Sequence, residues 1–255
     1  THSLEIVERA LASSPNSQTK SKLLEIKAMD YNNIGYILKK KGEKEKAIEY
    51  YQKALKILIS HGEKKQIANS YVNIGAFYYQ QGVVDSAITF YRKALMVQEE
   101  ISDKKGMATT LNNIGSLNKR KGDIATALEY YHKSLIIKKE IGNQDGIATS
   151  LNNIGNVYNR QQEYDKALEY YEESLAIREN NDGENEDALG YVLANLGTFH
   201  EKQGNAEKAI KYLLRSLEVR RKINDKEGIS ASLSNLGMIN NKLGDVDKAL
   251  KMNKE

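Results

Sequence analysis

The chemistry open to this chain depends on which reactive residues recur and at what spacing. The four histidines, His2, His61, His132 and His200, lie far apart. No metalloprotease helix, phosphate loop, nucleophile elbow or dinucleotide fingerprint is present. His200 falls on an apolar helix stripe and reads as a packed core imidazole. Carboxylates are plentiful but fall in pairs such as Glu49 with Lys53 and Glu129 with Lys133, the i,i+4 pattern of a solvated helix face. The pairs Tyr50-Tyr51, Tyr130-Tyr131 and Tyr170-Tyr171 could stack bases, but helical register puts the second Tyr of each in a core. Zero cysteines exclude thiolate ligands, cysteine nucleophiles and disulfides. No enzyme, cofactor or metal site is expected. What does recur is an amide: Asn33, Asn73, Asn113, Asn153, Asn195 and Asn235. An Asn side chain donates to a carbonyl and accepts from an N–H, which suits gripping a peptide backbone. A ladder of such amides bracing neighbouring helices fits the same residues, and both readings stand.

These amides are held at fixed intervals. The stretch Leu151-Asn152-Asn153-Ile154-Gly155 returns at Tyr31–Gly35, Tyr71–Gly75, Leu111–Gly115, Leu193–Gly197 and Leu233–Gly237, so the glycines are spaced 40, 40, 40, 42 and 40 residues apart. A fixed period of this size means one supersecondary unit stacked on itself. In the fourth copy Ile147, Ala148, Leu151, Ile154, Gly155 and Tyr158 form one helical stripe. Gln161-Gln162-Glu163 makes a turn, and Tyr164, Ala167, Leu168, Tyr171 and Leu175 form a second stripe. Each unit is therefore two antiparallel helices. Gly142 and Asn143 suit a helix C-cap, and Asp145 the following N-cap. A glycine inside each first helix costs about 1 kcal/mol relative to alanine, so close packing must offset it. The small residue Ala167, with Ala47, Ala87, Ala127, Ala209 and Ala249 in the same place, is the expected counterpart.

Ser3 to Ala12 reads as a short capping helix, broken by Ser13-Ser14-Pro15-Asn16. Units are expected near residues 18–61, 62–102, 103–142, 143–182, 183–224 and 225–255, after the cap and break over 1–17, as one array. The last unit is truncated, so an apolar end is expected to be uncovered. The chain is then a fragment, or that end docks onto a partner or a second copy. The start at Thr1 is consistent with a segment lost ahead of it. Pro15 is the only proline, so nothing breaks the later helices. A net charge of +4 is too mild to indicate nucleic acid, and no apolar run approaches a membrane span. The compartment is not fixed: cytoplasmic is favoured, periplasmic if this is a bacterial sensor region.

Leu151, Ile154-Gly155, Tyr158, Ala167, Tyr171 and Ser174 match the pattern of the tetratricopeptide repeat (TPR) family, which the chain resembles over residues 18–255. The period exceeds the family's usual ~34, the usual proline is absent, and Asn118, His200 and Asn240 replace Tyr158 in other copies. The longer period is similar to kinesin light chain, the Leu-Gly-Asn scaffolds and bacterial TPR regulators. The phrase from Gly146 to Gly155 most resembles the sensor regions of bacterial histidine kinases and transcription regulators. The resemblance implies an all-α fold, a right-handed α-α superhelix (TPR solenoid) of about six helix-turn-helix repeats. It also implies a concave groove along the first helices, gripping an extended peptide.

The residues implied at that groove are Asn33, Asn73, Asn112, Asn113, Asn152, Asn153, Asn156, Asn195 and Asn235. With them stand Lys40, Lys119, Arg120, Arg160, Lys202 and Lys242, and Asn159 is a further groove candidate. Across such positions cations outnumber acids, with Glu201 the one acid, so an acidic segment or a free C-terminus is the expected ligand. The helix dipole also favours cations in these last turns. Shallow apolar contacts would come from Tyr36, Tyr79 and Met238. The leading expectation is a protein–protein interaction scaffold. The alternative is the regulatory region of a larger bacterial signalling protein. RNA binding by the solenoid ranks below both, because the groove is poor in aromatics.

Overall fold

The computed structural model describes residues 2–13, 16–180, 185–245 and 248. Among them every regular element is a helix. A short α1 (His2–Ala12) precedes first helices α2 (Ser17–Lys40), α4 (Lys64–Gln80), α6 (Lys104–Lys121), α8 (Gln144–Arg160), α10 (Glu186–Lys202) and α12 (Lys226–Lys242). Between them lie second helices α3 (Lys44–His61), α5 (Val84–Glu100), α7 (Ile124–Glu140), α9 (Tyr164–Glu179) and α11 (Ala206–Lys222). The backbone forms two compact units, residues 1–137 and 138–255. In the first, α1 packs on α2, α2 pairs with α3 and α4 with α5, and the first helices α2 and α4 touch. In the second, α8 pairs with α9 and α10 with α11, and α10 touches both α8 and α12. First helices thus lie beside first helices, which is what creates grooves between them. The expected sixth second helix and most of the 180–186 linker lie outside the described residues.

Local chemistry sets the helix boundaries. Asn16, Asp103, Asn143, Asn185, Asn205 and Asp225 each accept from the backbone N–H three residues on, the N-cap bond that satisfies an orphan donor. Asp145 is not the cap expected from the sequence: Asn143 is, accepting from Gly146 N–H at 2.9 Å. Asp145 lies within the first turn of α8, where its carboxylate is available for other work. At the turn within the third repeat, Gly122 adopts φ 86°, and Asp123 N–H returns to the Asn118 carbonyl at 3.0 Å. In the fourth repeat Gln162 takes the same left-handed role at φ 63° without glycine's freedom.

Packing explains the glycine in each first helix, with a correction. A methyl group on Gly155 would stand 2.8 Å from Cδ1 of Tyr171 and 3.2 Å from the Ala167 carbonyl oxygen. The main counterpart is therefore the tyrosine ring, with Ala167 contributing backbone rather than a small side chain. Tyr51, Tyr91 and Tyr131 lie equally close to Gly35, Gly75 and Gly115. All four tyrosines are buried, as helical register required. Ser174, the small residue of the pattern, donates to the Ala148 carbonyl at 2.8 Å, and Ser134 and Ser216 make the same stitch to Ala108 and Gly190. Each buried hydroxyl ties a second helix to the first helix of its own repeat. The expected surface pairs also form, at 2.7 Å for Glu49–Lys53 and 2.6 Å for Glu129–Lys133.

Candidate functional site

In the unit 138–255, a groove of about 400 Å³ runs between α8 and α10. Asn152, Asn153 and Asn156 line one wall, and Tyr191 and Asn195 the other. Helical spacing puts the α8 amides on one stripe, and the contact of α10 with α8 brings Asn195 opposite. Asn195 Nδ2 donates to Asn152 Oδ1 at 2.9 Å. Tyr171 Oη donates to Asn156 Oδ1 at 2.8 Å, so the ring behind Gly155 also braces a groove amide. The inter-helix rung is present here, and it uses one end of each amide. A carboxamide carries both a donor and an acceptor end, so bracing does not consume its whole chemistry.

The floor of the groove is Arg178, a residue of α9 that sequence reasoning missed. Its side chain is only 4% exposed. Nη1 donates to Asp145 Oδ1 at 2.6 Å and Nη2 to Thr149 Oγ1 at 2.9 Å. Asp145 also accepts from Asn185 Nδ2 at 2.8 Å, which joins the network to the N-cap of α10. Burial works against the Asp145 charge, but the bonds from Arg178 and Asn185, with Lys138 nearby, outweigh it and hold the carboxyl below its usual range. The signal was available in the register. Leu58, Gln98, Lys138, Arg178 and Arg220 occupy one slot of successive second helices, and all are buried. Arg220 donates to Asp225 at 3.1 Å and stacks over Tyr191 at 4.7 Å, beside the same groove. A cation in a buried slot is costly unless bonded, so its recurrence points to a function or a brace.

Lys138 is the least compensated of these cations. Its Nζ donates to Ser150 Oγ at 2.9 Å, and burial pulls its pKa down to about 8, with Asp145 opposing. The unfolded chain holds this proton up to the ordinary lysine range, so between about pH 8 and that range the unfolded state binds more protons. Stability therefore rises with pH across this window, by up to about 1.4 kcal/mol per pH unit. Lys138→Leu, which copies Leu58 in the same slot, is expected to be more stable than wild type at pH 7. That advantage should shrink from pH 8 to 9.5, before tyrosines titrate. Urea melts of both proteins at each pH measure it, and a pH-independent difference would refute the buried-charge account.

Elsewhere the expected residues are dispersed. Asn33 and Asn73 are exposed on α2 and α4, and Asn112, Asn113 and Asn235 are half-buried on α6 and α12. Lys119 is half-buried, and Arg160 is exposed at the end of α8. Lys40 stands 5.7 Å from the centre of the Tyr36 ring. Arg120 reaches back over Tyr79, donating to its carbonyl at 3.4 Å. Lys202 and Lys242 line a separate hollow of about 290 Å³ with Ile239 and Leu243. Lys242 forms an ion pair with Glu201, so one of the counted cations and the one acid neutralise each other. Asn159 is half-buried, with its Oδ1 out of reach of solvent.

A tetratricopeptide-repeat family model matches residues 66–140, 106–180 and 186–255, and a second model of the same description matches 28–58. The chain belongs to the tetratricopeptide-repeat family. No curated protein sequence matches it. Among solved structures, BtubC (BKLC) from P. vanneervenii shares the fold at TM-score 0.68 and 21% identity, over 84% of this chain and 86% of that one. Apo RapI does so at 0.70 and 19%, over 89% and 95%. The apo form of the quorum sensor NprR from B. thuringiensis does so at 0.70 and 18%, over 98% and 73%. The fold is thus the all-α TPR repeat fold.

The departures from the TPR pattern have structural reasons. In the Tyr158 slot, Tyr158 stacks on Tyr170 with centroids 5.5 Å apart, and His200 stacks on Tyr212 at the same separation. Asn118 and Asn240 instead donate to the carbonyl four residues back, at 2.9 Å each, so their buried amides stay bonded. Burial first, then Lys208, lowers the His200 pKa, as a packed imidazole requires. Among the described residues no group of three or more His, Cys, Asp or Glu could hold a metal, and no helix is long and apolar enough to cross a membrane.

Proposed function

We propose that this TPR chain binds a peptide segment of a partner protein along its first-helix face. The observation that carries this reading is the α8–α10 groove, where four asparagines converge over a buried arginine. The amides suit the alternating donors and acceptors of an extended backbone. Lys138 and Arg178 against Asp145 leave one positive charge in excess, which favours a carboxylate on the ligand, from an acidic side chain or a free C-terminus. Asn235, in the same unit, would continue the contact in the next register.

The test is a panel of fluorescent extended peptides, acidic or neutral, with free or amidated C-termini. Replacing Asn152 and Asn195 together by Ala is expected to weaken binding of the best acidic peptide about tenfold, with helical CD retained. Unchanged affinity would sink the groove reading, and preference for neutral, amidated peptides would sink its acidic part. A second reading is the sensor region of a larger signalling protein. It is supported by the fold shared with NprR, which is named a quorum sensor. A kinase or DNA-binding domain encoded in the same reading frame would favour it, and its absence would remove it.

A further inference from the structure

In the unit 1–137, α4 and α6 are each covered by the second helix of the repeat before them, α3 and α5. On α6 that cover meets three positions. Ile114 and Leu117 are fully buried in one cluster with Ile88 and Tyr91 of α5, and Lys121 pairs with Asp85 of α5 at 2.7 Å. On α4, Ile74 and Phe77 are buried in the same way with Ala47 and Tyr51 of α3. The matching residues at the end of α2 are Ile34, Ile37 and Lys41. Ahead of α2 stands the 11-residue α1. Ser3 donates to Asp30 at 2.7 Å and Glu8 meets Lys27 at 3.0 Å, so α1 runs antiparallel to α2 and its start stands beside Asp30. The rest of α2 continues for about 15 Å beyond that point. There Ile37 is 49% exposed and Ile34 only half-buried, although their counterparts on α4 and α6 are sealed. Among the described residues nothing takes the place on α2 that α5 takes on α6.

We propose that this end of α2 is a docking surface for an acidic amphipathic helix of a partner protein, laid antiparallel on α2 where a preceding second helix would lie. Shape and charge choose this occupant. The unsealed apolar residues fall at i and i+3, the spacing that a packed helix answers. Residues 39–46 hold five lysines against two glutamates, and Glu43 is already paired with Lys46 at 2.7 Å. An antiparallel helix brings its N-terminus to these lysines, and acids in its first turn are favoured by its own dipole as well. The chain's own second helices have that form, with Asp85, Asp165 and Glu207 in the first turns of α5, α9 and α11. Asp85 answers Lys121, so an acid in the same place answers Lys41. The partner helix therefore carries an Asp or Glu with apolar residues three and six positions later, as in Asp85, Ile88 and Tyr91. A second copy docked by the same face would bring the same lysines to the contact. The surface lies in the other unit from the α8–α10 groove and does not depend on the reading of that groove.

The probe is a fluorescein-labelled peptide copying Val84–Glu100, stapled as a helix because a free segment of 17 residues is marginally helical. It is titrated into the full chain and followed by anisotropy, and saturable binding is expected. Ile37→Glu, at an exposed position, should weaken binding at least about tenfold by setting a charge on the apolar stripe. Asp85→Lys in the probe should weaken it roughly three- to fivefold, and Lys41→Asp in the chain should restore it. This charge exchange is a result that a merely adhesive surface would not give, and it serves if Ile37→Glu fails to fold. A signal without saturation, undiminished binding to folded Ile37→Glu, or no rescue by Lys41→Asp would overturn the proposal. Sedimentation of the chain alone addresses the other occupant: a dimer that Ile37→Glu disperses would place a second copy on this face and overturn the partner helix. Binding of extended acidic peptides at the α8–α10 groove should be unchanged in Ile37→Glu, so failure there and failure here are distinct results.

Discussion

Replacing Gly155 by valine is expected to destabilise the protein by about 3 kcal/mol, and by alanine about 1–2 kcal/mol. Two effects oppose each other. Alanine at an interior helix position gains about 1 kcal/mol over glycine. Against this, its methyl would lie 2.8 and 2.9 Å from two ring carbons of Tyr171 and 3.2 Å from the Ala167 oxygen. Neither partner can yield cheaply. Tyr171 is fully buried and its hydroxyl is bonded to Asn156, and the oxygen belongs to a helix backbone. The ring must move, and the Asn156 brace moves with it. Valine adds two further carbons to the same contact. Urea unfolding followed by CD measures the loss. The expected fall in midpoint temperature is roughly 2–4 °C per kcal/mol for a chain of this size. A more stable Gly155→Ala would show that helix propensity wins and that close approach is not why the glycine is there.

Arg178→Met is expected to cost about 2–3 kcal/mol and to weaken binding of acidic peptides at least about tenfold. Methionine keeps much of the apolar stem but removes the bonds to Asp145 and Thr149. Breaking a buried pair by deleting one partner costs about 3–5 kcal/mol when the other charge is stranded. The figure here is lower because the Asp145 side chain is 49% exposed and keeps Asn185 and water. The double variant Arg178→Met/Asp145→Asn separates stability from function. It should regain most of the lost stability, because no charge is stranded, yet still bind acidic peptides as weakly as the single variant. If the double variant recovers binding as well, Arg178 acts only as a brace. If Arg178→Met leaves both quantities unchanged, the network matters to neither.

Much of the architecture was legible because it is written in local rules. The stripe from Ile147 to Tyr158 needs only the helical period, and the glycine spacing needs only counting. Burial of Tyr51, Tyr131 and Tyr171 followed from register alone, as did the surface pairs of Glu49 and Glu129. Two errors mark where local reasoning ends. Asp145 and Asn143 are both good caps by residue type, and which one caps depends on where the preceding helix releases the chain. Asn143 takes the cap, which leaves Asp145 to meet Arg178, 33 residues away. Gly155 was rightly read as a close approach, but the contacting ring was not, because both Ala167 and Tyr171 lie on the facing stripe.

By itself, then, the sequence determined the helical hairpins, their period, their caps in kind and the amide stripe on each first helix. All of these arise from interactions within a few residues and repeat with the unit. The tertiary structure decided which amides share a groove and what lies beneath them. Asn152 meets Asn195 across 43 residues, and Arg178 reaches their groove from a second helix, through the gap left between neighbouring first helices. That gap exists only when repeats stack, so no pattern along a single helix contains it.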